Sequence, residues 1–318
     1  MSQPILQVEH LKKYFPAGGK KLLRAVDDVS FSVSEGEILG IVGESGCGKT
    51  TCGRTAIGLY SKTGGTALYR GEDIHRMQGA KRRSFCCQVQ TVFQAPYASL
   101  DPRNKVIDLI AEGMDIHGLC SSRAERREKV EFLMEQVGLN PAGIDRYPYE
   151  FSGGMRQRIG IARALAVNPK LLLCDEPISA LDVSIQAQIV NLLMDLRERN
   201  GLTYLLISHD LSMVRHLSDR ILVMYLGQVV EESSAEELYA RPLHPYTKAL
   251  IAAIPIPDPR VERARPRSVL EGQVPSPVNP PAGCRFAGRC PYATQQCREQ
   301  KPELRDMGGS HRVACHLC

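Results

Sequence analysis

The feature that most constrains this chain is a glycine-rich octapeptide that follows a short apolar run. Residues 43–50 read GESGCGKT and fit the pattern G-x-x-x-x-G-K-[ST], and the apolar run 38–42 precedes them. Glycines at these positions let successive backbone N–H groups, and the N-terminus of the next helix, point at phosphate oxygens. The sequence therefore predicts a strand, a phosphate-binding loop and a helix in that order, and this context disfavours a simple glycine turn.

Two side chains of this loop carry predicted chemistry. Lys49 is expected to reach the terminal phosphates of a nucleotide, and Thr50 is expected to offer its hydroxyl to Mg²⁺. The predicted nucleotide-binding residues of the loop are Gly43, Ser45, Gly46, Cys47, Gly48, Lys49, Thr50 and Thr51.

Further apolar runs predict an α/β fold with a largely parallel sheet. The runs are short and uninterrupted, as expected for strands buried on both faces, and helical patterns separate several of them. They cover residues 38–42, 171–174, 204–207 and 221–225. Serines alternate with apolar residues over 29–34, which predicts a half-buried antiparallel edge and hence a mixed sheet near the N-terminus.

Helical patterns predict an inserted helical subdomain at about residues 96–160. Ser122 and Glu125 form a capping-box pattern there, at the start of a helix. Outside this insertion, a helix is predicted over 185–196 with Asp182 or Ser184 as its cap. We predict a nucleotide-binding domain over 1–240 and an extension over 241–318.

Composition limits the class of protein. The 318 residues are 43% hydrophobic and 24% charged, with a mean hydropathy of -0.20, which predicts a soluble globular chain. No run approaches the roughly 18 apolar residues of a membrane span, and the N-terminus lacks the pattern of a secretion signal. A net charge of +5 is too small to indicate nucleic acid as a partner.

Two more segments point to phosphoryl transfer. The run 171–174 ends in Asp175 and Glu176; beside a phosphate loop, the first carboxylate is suited to hold Mg²⁺ and the second to act on water as a general base. The segment from Ser152 to Gly154 opens a helical run and forms a second candidate anion site. Taken alone, an acidic strand end can simply enter solvent, and a serine with glycines can simply cap a helix.

The order of these motifs resembles that of the nucleotide-binding subunits of ABC transporters, over about residues 5–235. The segment Ser152, Gly153 and Gly154 corresponds to the signature of that family. The resemblance implies a P-loop NTPase fold with a RecA-like core, a mixed N-terminal sheet and a helical subdomain. It also implies that two such domains enclose two ATP molecules, each bound by one partner's phosphate loop and the other partner's signature.

The same resemblance adds three residues and their roles. It implies that Gln94 completes the Mg²⁺ shell, that His209 contacts the γ-phosphate, and that Asp182 crosses the interface between the two domains. The predicted catalytic residues are Glu176, His209, Lys49 and Gln94, and the predicted Mg²⁺ ligands are Thr50, Gln94 and Asp175.

The family also places an aromatic ring on the adenine, and one residue departs from its signature. Tyr14 and Phe15 are the candidates for stacking, and the spacing of Phe15 favours it. Met155 follows the signature glycines where many family members have glutamine, so a contact made by that glutamine side chain is in doubt.

Three longer stretches resemble the oligopeptide/dipeptide and nickel importers. They are 92–103 (VFQAPYASLDPR), 182–188 (DVSIQAQ) and 244–247 (HPYT). The chain looks most like the second, F-type ATPase subunit, which implies a related ATPase subunit, two membrane permeases and, indirectly, a substrate-binding protein as partners. It further implies a peripheral position on the cytoplasmic face of the plasma membrane.

Two other classes remain possible. One is a soluble ABC ATPase of translation or DNA repair with a cysteine-bound metal, which the single cassette and the lack of a long heptad run disfavour. The other is a regulatory ATPase with no membrane partner. For an importer, the loop 94–103 is the candidate docking surface, because Pro96 and Pro102 frame Tyr97 and Arg103 follows.

Cysteines cluster at the C-terminal end, where five of the eleven lie in the last 35 residues. A connector at 255–281, with eight of the chain's 20 prolines, precedes them. The spacing C-x5-C-x6-C-x17-C and the importer resemblance predict a [4Fe-4S] cluster, with Cys318 as a spare. Structural zinc and free thiols are the alternatives. The predicted ligands are Cys284, Cys290, Cys297 and Cys315.

Overall fold

Strands and helices alternate along the chain, and the computed structural model describes residues 4–94, 99–179, 181–255, 258, 260 and 275–318. The strands are β1 (Leu6–Pro16), β2 (Leu22–Val33), β3 (Ile38–Val42), β4 (Gly64–Tyr69), β5 (Glu72–Asp73), β6 (Val89–Val92), β7 (Leu171–Asp175), β8 (Thr203–Ile207), β9 (Arg220–Tyr225), β10 (Gln228–Ser234), β11 (Arg305–Asp306) and β12 (Arg312–Val313). The α-helices are α1 (Lys49–Ala56), α2 (Gly79–Gln88), α3 (Val106–His117), α4 (Arg123–Gln136), α5 (Gly153–Leu165), α6 (Val183–Asn200), α7 (Leu211–Leu217), α8 (Ala235–Ala240), α9 (Pro245–Ala252) and α10 (Gln295–Glu299). In the part of the chain so described, no helix has the length and apolar character needed to cross a bilayer.

The chain divides into two compact units. Unit 1 comprises Met1–Ile5, Val33–Glu37 and Glu72–Ile207, and unit 2 comprises Leu6–Ser32, Ile38–Gly71 and Ser208–Cys318. Unit 2 thus combines N-terminal strands with the C-terminal segment. The division of the chain at residue 240 and the limits 96–160 of the helical subdomain stay predictions.

Unit 1 contains a parallel sheet in which β7 pairs with β6 on one side and with β8 on the other. Every residue of β7 and β8 is buried, which accounts for their continuous apolar sequences. The predicted strands at 171–174 and 204–207 are therefore confirmed. Because the three strands run parallel, the residues that follow β6 and β7 lie at the same edge of the sheet.

One of the two hydrogen bonds of the predicted capping box at Ser122 and Glu125 is confirmed in unit 1. The Ser122 hydroxyl accepts a hydrogen bond from the Glu125 N–H at 3.2 Å. In a capping box the Glu125 carboxylate would accept from the Ser122 N–H. Here it accepts from the N–H one residue earlier, that of Ser121, at 2.7 Å. Helix α6 starts after Asp182, which occupies the cap position without a capping hydrogen bond from its side chain.

Unit 2 carries the N-terminal strands and the strands of the C-terminal segment. Strands β2, β1 and β4 are neighbours in one sheet, with β1 and β4 antiparallel. In a second sheet β3 and β9 run parallel, while β10 pairs antiparallel with β9 and with β12. Parallel and antiparallel pairs therefore mix in this second sheet, whereas the predicted edge at 29–34 falls in β2, which lies at the edge of the first sheet. The last residues of the chain thus extend the sheet whose strand β3 leads into the phosphate loop.

Candidate nucleotide site

The phosphate loop lies against neighbouring backbone so closely that two of its residues must be glycine. Gly48 has a φ of 103°, and a Cβ there would lie 2.0 Å from the carbonyl oxygen of Ala25. A Cβ on Gly43 would lie 2.2 Å from the carbonyl oxygen of Met224. Any side chain at these positions would force the loop out of its present conformation.

The lysine of the loop is held inside it. Lys49 is only 4% exposed, and its ammonium group donates to the carbonyl oxygens of Gly43 at 2.7 Å and of Glu44 at 3.0 Å. The positive charge therefore lies against the backbone of the loop, and Lys49 is itself the first residue of helix α1. Burial raises the pKa of Cys47, and it raises that of Cys52 to about 12, so these thiols stay protonated and serve as packing groups.

The remaining predicted residues of unit 2 are two aromatics and a histidine. Tyr14 is engaged, because its hydroxyl donates to the Asp27 carboxylate, and burial followed by this bond raises the pKa of Tyr14 to about 12. Phe15 is half-buried, and its ring meets that of Tyr60 edge-on with centroids 6.3 Å apart. His209 is exposed and lies just after β8.

In unit 1 the structure brings together two predicted catalytic residues. The Gln94 side-chain amide donates to a carboxylate oxygen of Glu176 at 2.7 Å. Glu176 has a φ of 47°, which is unusual for a residue with a side chain, and its N–H donates to the Ile207 carbonyl at 2.9 Å. Asp175 is fully buried at the end of β7. The two carboxylates thus lie at the end of β7, with the unusual backbone conformation at Glu176, and Gln94 lies two residues after the end of β6.

The signature segment begins helix α5 in unit 1. The Ser152 hydroxyl accepts from the Met155 N–H at 3.4 Å while the side chain stays exposed. A Cβ on Gly154 would lie 2.5 Å from a methyl carbon of Ile185, so helices α5 and α6 pack closely at this point. Met155 is 38% exposed, and it packs on the surface where a glutamine would offer a polar group.

The C-terminal cysteines are neighbours in unit 2. Burial raises the pKa of Cys284 to about 11, and the nearby thiols of Cys297, Cys315 and Cys290 raise it further. The Cys284 N–H donates to the Cys297 carbonyl oxygen at 2.8 Å. Within the described ranges, no group of three or more His, Cys, Asp or Glu side chains is arranged to hold a metal ion. The geometry therefore does not support the [4Fe-4S] cluster or the zinc site expected from the sequence.

The predicted docking loop is described only in part. Ala95, Pro96, Tyr97 and Ala98 lie outside the described residues. Arg103 is exposed, and its guanidinium donates to both carboxylate oxygens of Asp101, at 3.0 and 2.8 Å. Most of the proline-rich connector, between 255 and 275, also lies outside the described residues.

Three residues around the phosphate loop were missed by the sequence analysis. The Arg289 guanidinium donates to both carboxylate oxygens of Glu44, at 2.7 and 3.1 Å, and the Tyr246 hydroxyl accepts from the Glu44 N–H at 2.8 Å. One signal was available, because a carboxylate inside an anion-binding loop requires a nearby cation. Which arginine supplies it could not be read from the sequence, since Arg289 lies 245 residues away.

Comparisons with known proteins match both ends of the chain. The family model for the ABC transporter matches residues 26–179, and that for the oligopeptide/dipeptide transporter C-terminal region matches 230–297. The chain is 53% identical to the oligopeptide transport ATP-binding protein AppF of Bacillus subtilis (strain 168), over 99% of this chain and 98% of that protein. It is 50% identical to the oligopeptide transport ATP-binding protein OppF of Salmonella typhimurium, over 98% of this chain and 95% of that protein.

Solved structures match about three quarters of the chain. A dimeric ATP-binding cassette, solved in a post-hydrolysis state with ADP and Pi, is 27% identical with a TM-score of 0.66. The match covers 72% of this chain and 98% of that chain. The cbiO1 protein of Clostridium perfringens, part of an ABC transporter complex, is 25% identical with the same TM-score, covering 76% of this chain and 92% of that chain.

Proposed function

Because this chain belongs to the ATP-binding subunits of oligopeptide ABC transporters, we propose that it hydrolyses ATP to drive the import of oligopeptides. The observation that carries this proposal is the phosphate loop, whose close backbone packing and buried Lys49 suit the binding of a nucleoside triphosphate. Among such subunits the chain corresponds to the F type, in line with its 50% identity to OppF.

Each predicted site residue has a proposed task. The N–H groups of the loop and the start of α1 bind the phosphates, and Lys49 adds a charge-assisted hydrogen bond. Mg²⁺ held by Thr50, Gln94 and Asp175 would neutralise charge on the phosphate oxygens. Glu176 accepts the proton of the attacking water, and Gln94, hydrogen-bonded to it at 2.7 Å, keeps the carboxylate oriented. His209 is proposed to contact the γ-phosphate and Phe15 to stack on the adenine.

Catalysis is proposed to require two ATPase subunits. Ser152 and Asp182 are exposed in this chain, which leaves them open to a partner. The solved cassette bound to ADP and Pi is dimeric, which supports the same arrangement here. We propose a related but different ATPase as the partner, with two permeases and a substrate-binding protein completing an importer on the cytoplasmic face of the plasma membrane.

The experiment that tests the function is uptake of a labelled oligopeptide by cells whose own copy of this gene is deleted. The wild-type gene should restore uptake, whereas Lys49→Ala should not, because it removes a phosphate contact worth about 1.5–3 kcal/mol, or roughly 10- to 100-fold in ATP affinity. A gene deletion that leaves oligopeptide uptake intact would contradict the proposal.

The permease contact is proposed to involve the loop that contains Tyr97 and Arg103. The support is that Arg103 presents an exposed charge held in place by Asp101. Arg103→Glu should lower co-purification with the permeases and transport, with ATP binding unchanged. Arg76→Glu is the matched control, since Arg76 is as exposed as Arg103 and pairs with Asp73 across three residues. Normal co-purification of Arg103→Glu would place the docking site elsewhere.

We also propose that the cysteine-rich C-terminal extension binds a metal, although the described side chains are not arranged as a metal site. Its support is the mutual proximity of Cys284, Cys290, Cys297 and Cys315 and the preference of iron–sulfur clusters for four thiolates. Protein purified without oxygen should contain about four irons per chain if a [4Fe-4S] cluster forms. One zinc per chain would favour the alternative, and protein free of both metals would reject either site.

A further inference from the structure

The phosphate loop contains a negative charge that should oppose its own function. Glu44 directly follows Gly43, and its backbone carbonyl accepts a hydrogen bond from Lys49 at 3.0 Å. A carboxylate beside N–H groups that bind phosphate repels an anionic ligand by Coulomb interaction. The loop therefore needs a cation at Glu44 if it is to bind ATP well.

That cation comes from the C-terminal segment, here residues 275–318. The two guanidinium nitrogens of Arg289 meet the two carboxylate oxygens of Glu44 at 2.7 and 3.1 Å, the fork geometry of a bidentate pair. The Arg289 side chain is 7% exposed and that of Glu44 is 26% exposed, so water screens the pair only weakly.

Aromatic packing fixes both ends of this contact. Tyr246, whose hydroxyl accepts the Glu44 N–H, packs edge-on against Tyr225 with centroids 4.7 Å apart. Phe286 packs against the same Tyr225 ring at 5.2 Å, and its carbonyl accepts the Arg289 N–H at 2.9 Å. All three rings are almost fully buried. Arg289 is thus part of a rigid frame, unlike a long side chain on a free surface.

The segment is also attached elsewhere in unit 2. Arg285 is buried, and its guanidinium donates to the Asp27 carboxylate and to the Leu226 carbonyl oxygen. Strand β12 adds to β10 through the pairs of Val313 with Glu231 and of Arg312 with Glu232. These contacts keep Arg289 in reach of the loop without any help from the Glu44 pair itself.

We infer that Arg289 is a positioning residue for ATP binding, through which the C-terminal segment neutralises Glu44 and holds the phosphate loop in its binding conformation. The segment then sets the ATP affinity of the loop, beyond any role in assembling the transporter. The inference rests on the proposed binding of ATP by the loop.

The test measures the affinity of the full-length chain for a fluorescent ATP analogue in the presence of Mg²⁺. Arg289→Gln should weaken binding on the order of tenfold, because it leaves the Glu44 charge unpaired in the loop. The Glu44→Gln, Arg289→Gln double variant should return to within about threefold of wild type, since the repelling charge is gone. Glu44→Gln alone should bind at least as tightly as wild type, which tests the same pair from the loop side without disturbing the segment.

A matched control separates this role from general attachment of the segment. Lys301→Gln breaks the 3.0 Å pair with Asp28, a second ion pair between the segment and the N-terminal strands, and should leave the affinity unchanged. Unchanged affinity in Arg289→Gln, or a double variant as weak as Arg289→Gln, would overturn the inference while leaving the proposed function intact. A wild-type chain that binds no ATP would overturn both.

Discussion

Unit 2 and unit 1 hold their predicted nucleotide-site residues in opposite ways. In unit 2 the phosphate loop is enclosed by its own unit, with Lys49 at 4% exposure and Gly43 against the Met224 backbone. In unit 1, Gln94, Ser152 and Asp182 are all exposed, although Asp175 is buried at the end of β7. The residues of unit 2 form a binding site that is already packed. The exposed residues of unit 1 lie on a surface that a partner subunit can cover.

This difference predicts that the affinity for ATP and the rate of ATP hydrolysis depend on different units of the chain. A loop fixed in advance by packing binds its ligand without an ordering cost, so unit 2 should decide how tightly the chain binds ATP. Exposed polar groups gain their strength only when water is excluded from around them. Substitutions at Glu176, Ser152 and Asp182 in unit 1 should therefore change hydrolysis in the assembled transporter and leave the ATP affinity of the lone chain unchanged.

The largest effect that would test this separation is expected at Glu176. Glu176→Gln removes the base but leaves an amide oxygen that still accepts from Gln94, so steady-state ATP hydrolysis should fall about 10²- to 10⁴-fold. ATP affinity should stay as in wild type. Glu198→Gln, which changes an exposed carboxylate of the same unit, is the control. Wild-type turnover in Glu176→Gln would exclude Glu176 as the base.

The local parts of the fold followed from the sequence, and the distant pairings did not. Residues 38–42, 171–174 and 204–207 are apolar throughout, so burial on both faces could be predicted from them alone, and each is a strand. The strand β12 could not be predicted from the sequence, because a strand of two residues is too short to show an alternation of apolar and polar residues. Its pairing with β10 depends on contacts formed only after the C-terminal segment has packed.

The same limit applies to the site. The glycines of the phosphate loop are fixed by local geometry, which a sequence motif records directly. The Glu44–Arg289 pair joins residues 245 apart, and the sequence between them has no pattern that sets their distance. The four cysteines show the reverse case: their number and spacing predict a metal centre, whereas the described side chains include no group of three or more His, Cys, Asp or Glu residues arranged to hold a metal ion.

A smaller effect is expected at the signature serine. Ser152 caps helix α5 through its hydroxyl, and glycine at a cap costs only a few tenths of a kcal/mol whereas alanine costs about 1 kcal/mol. Ser152→Gly therefore removes the hydroxyl with little damage to the helix. If the hydroxyl contacts nucleotide on a partner subunit, turnover of the assembled complex should fall about tenfold, the equivalent of one hydrogen bond. A loss confined to Ser152→Ala would show that capping alone matters.

The smallest effect concerns the histidine that begins the helix carrying Tyr246. His244 is 1% exposed, and its ring nitrogen accepts the Tyr246 N–H at 3.1 Å. Burial, with a smaller effect of the Lys248 charge, lowers its pKa to about 3. In the unfolded chain the histidine has a pKa of about 6.5 and is protonated below that pH, whereas in the folded chain it stays neutral. The free energy of unfolding therefore decreases as the pH falls below about 6.5.

Between about pH 8 and pH 6 this linkage should lower the free energy of unfolding by about 1 kcal/mol, or the melting temperature by about 2 °C. His244→Asn should lose less over the same interval, because asparagine also caps a helix but does not titrate. His216→Asn, at an exposed histidine of α7 in the same unit, should behave as wild type. Parallel pH profiles for wild type and His244→Asn would show that His244 is not held neutral, and the packing that supports Tyr246 against the phosphate loop would then be looser than the 3.1 Å hydrogen bond between the two residues indicates.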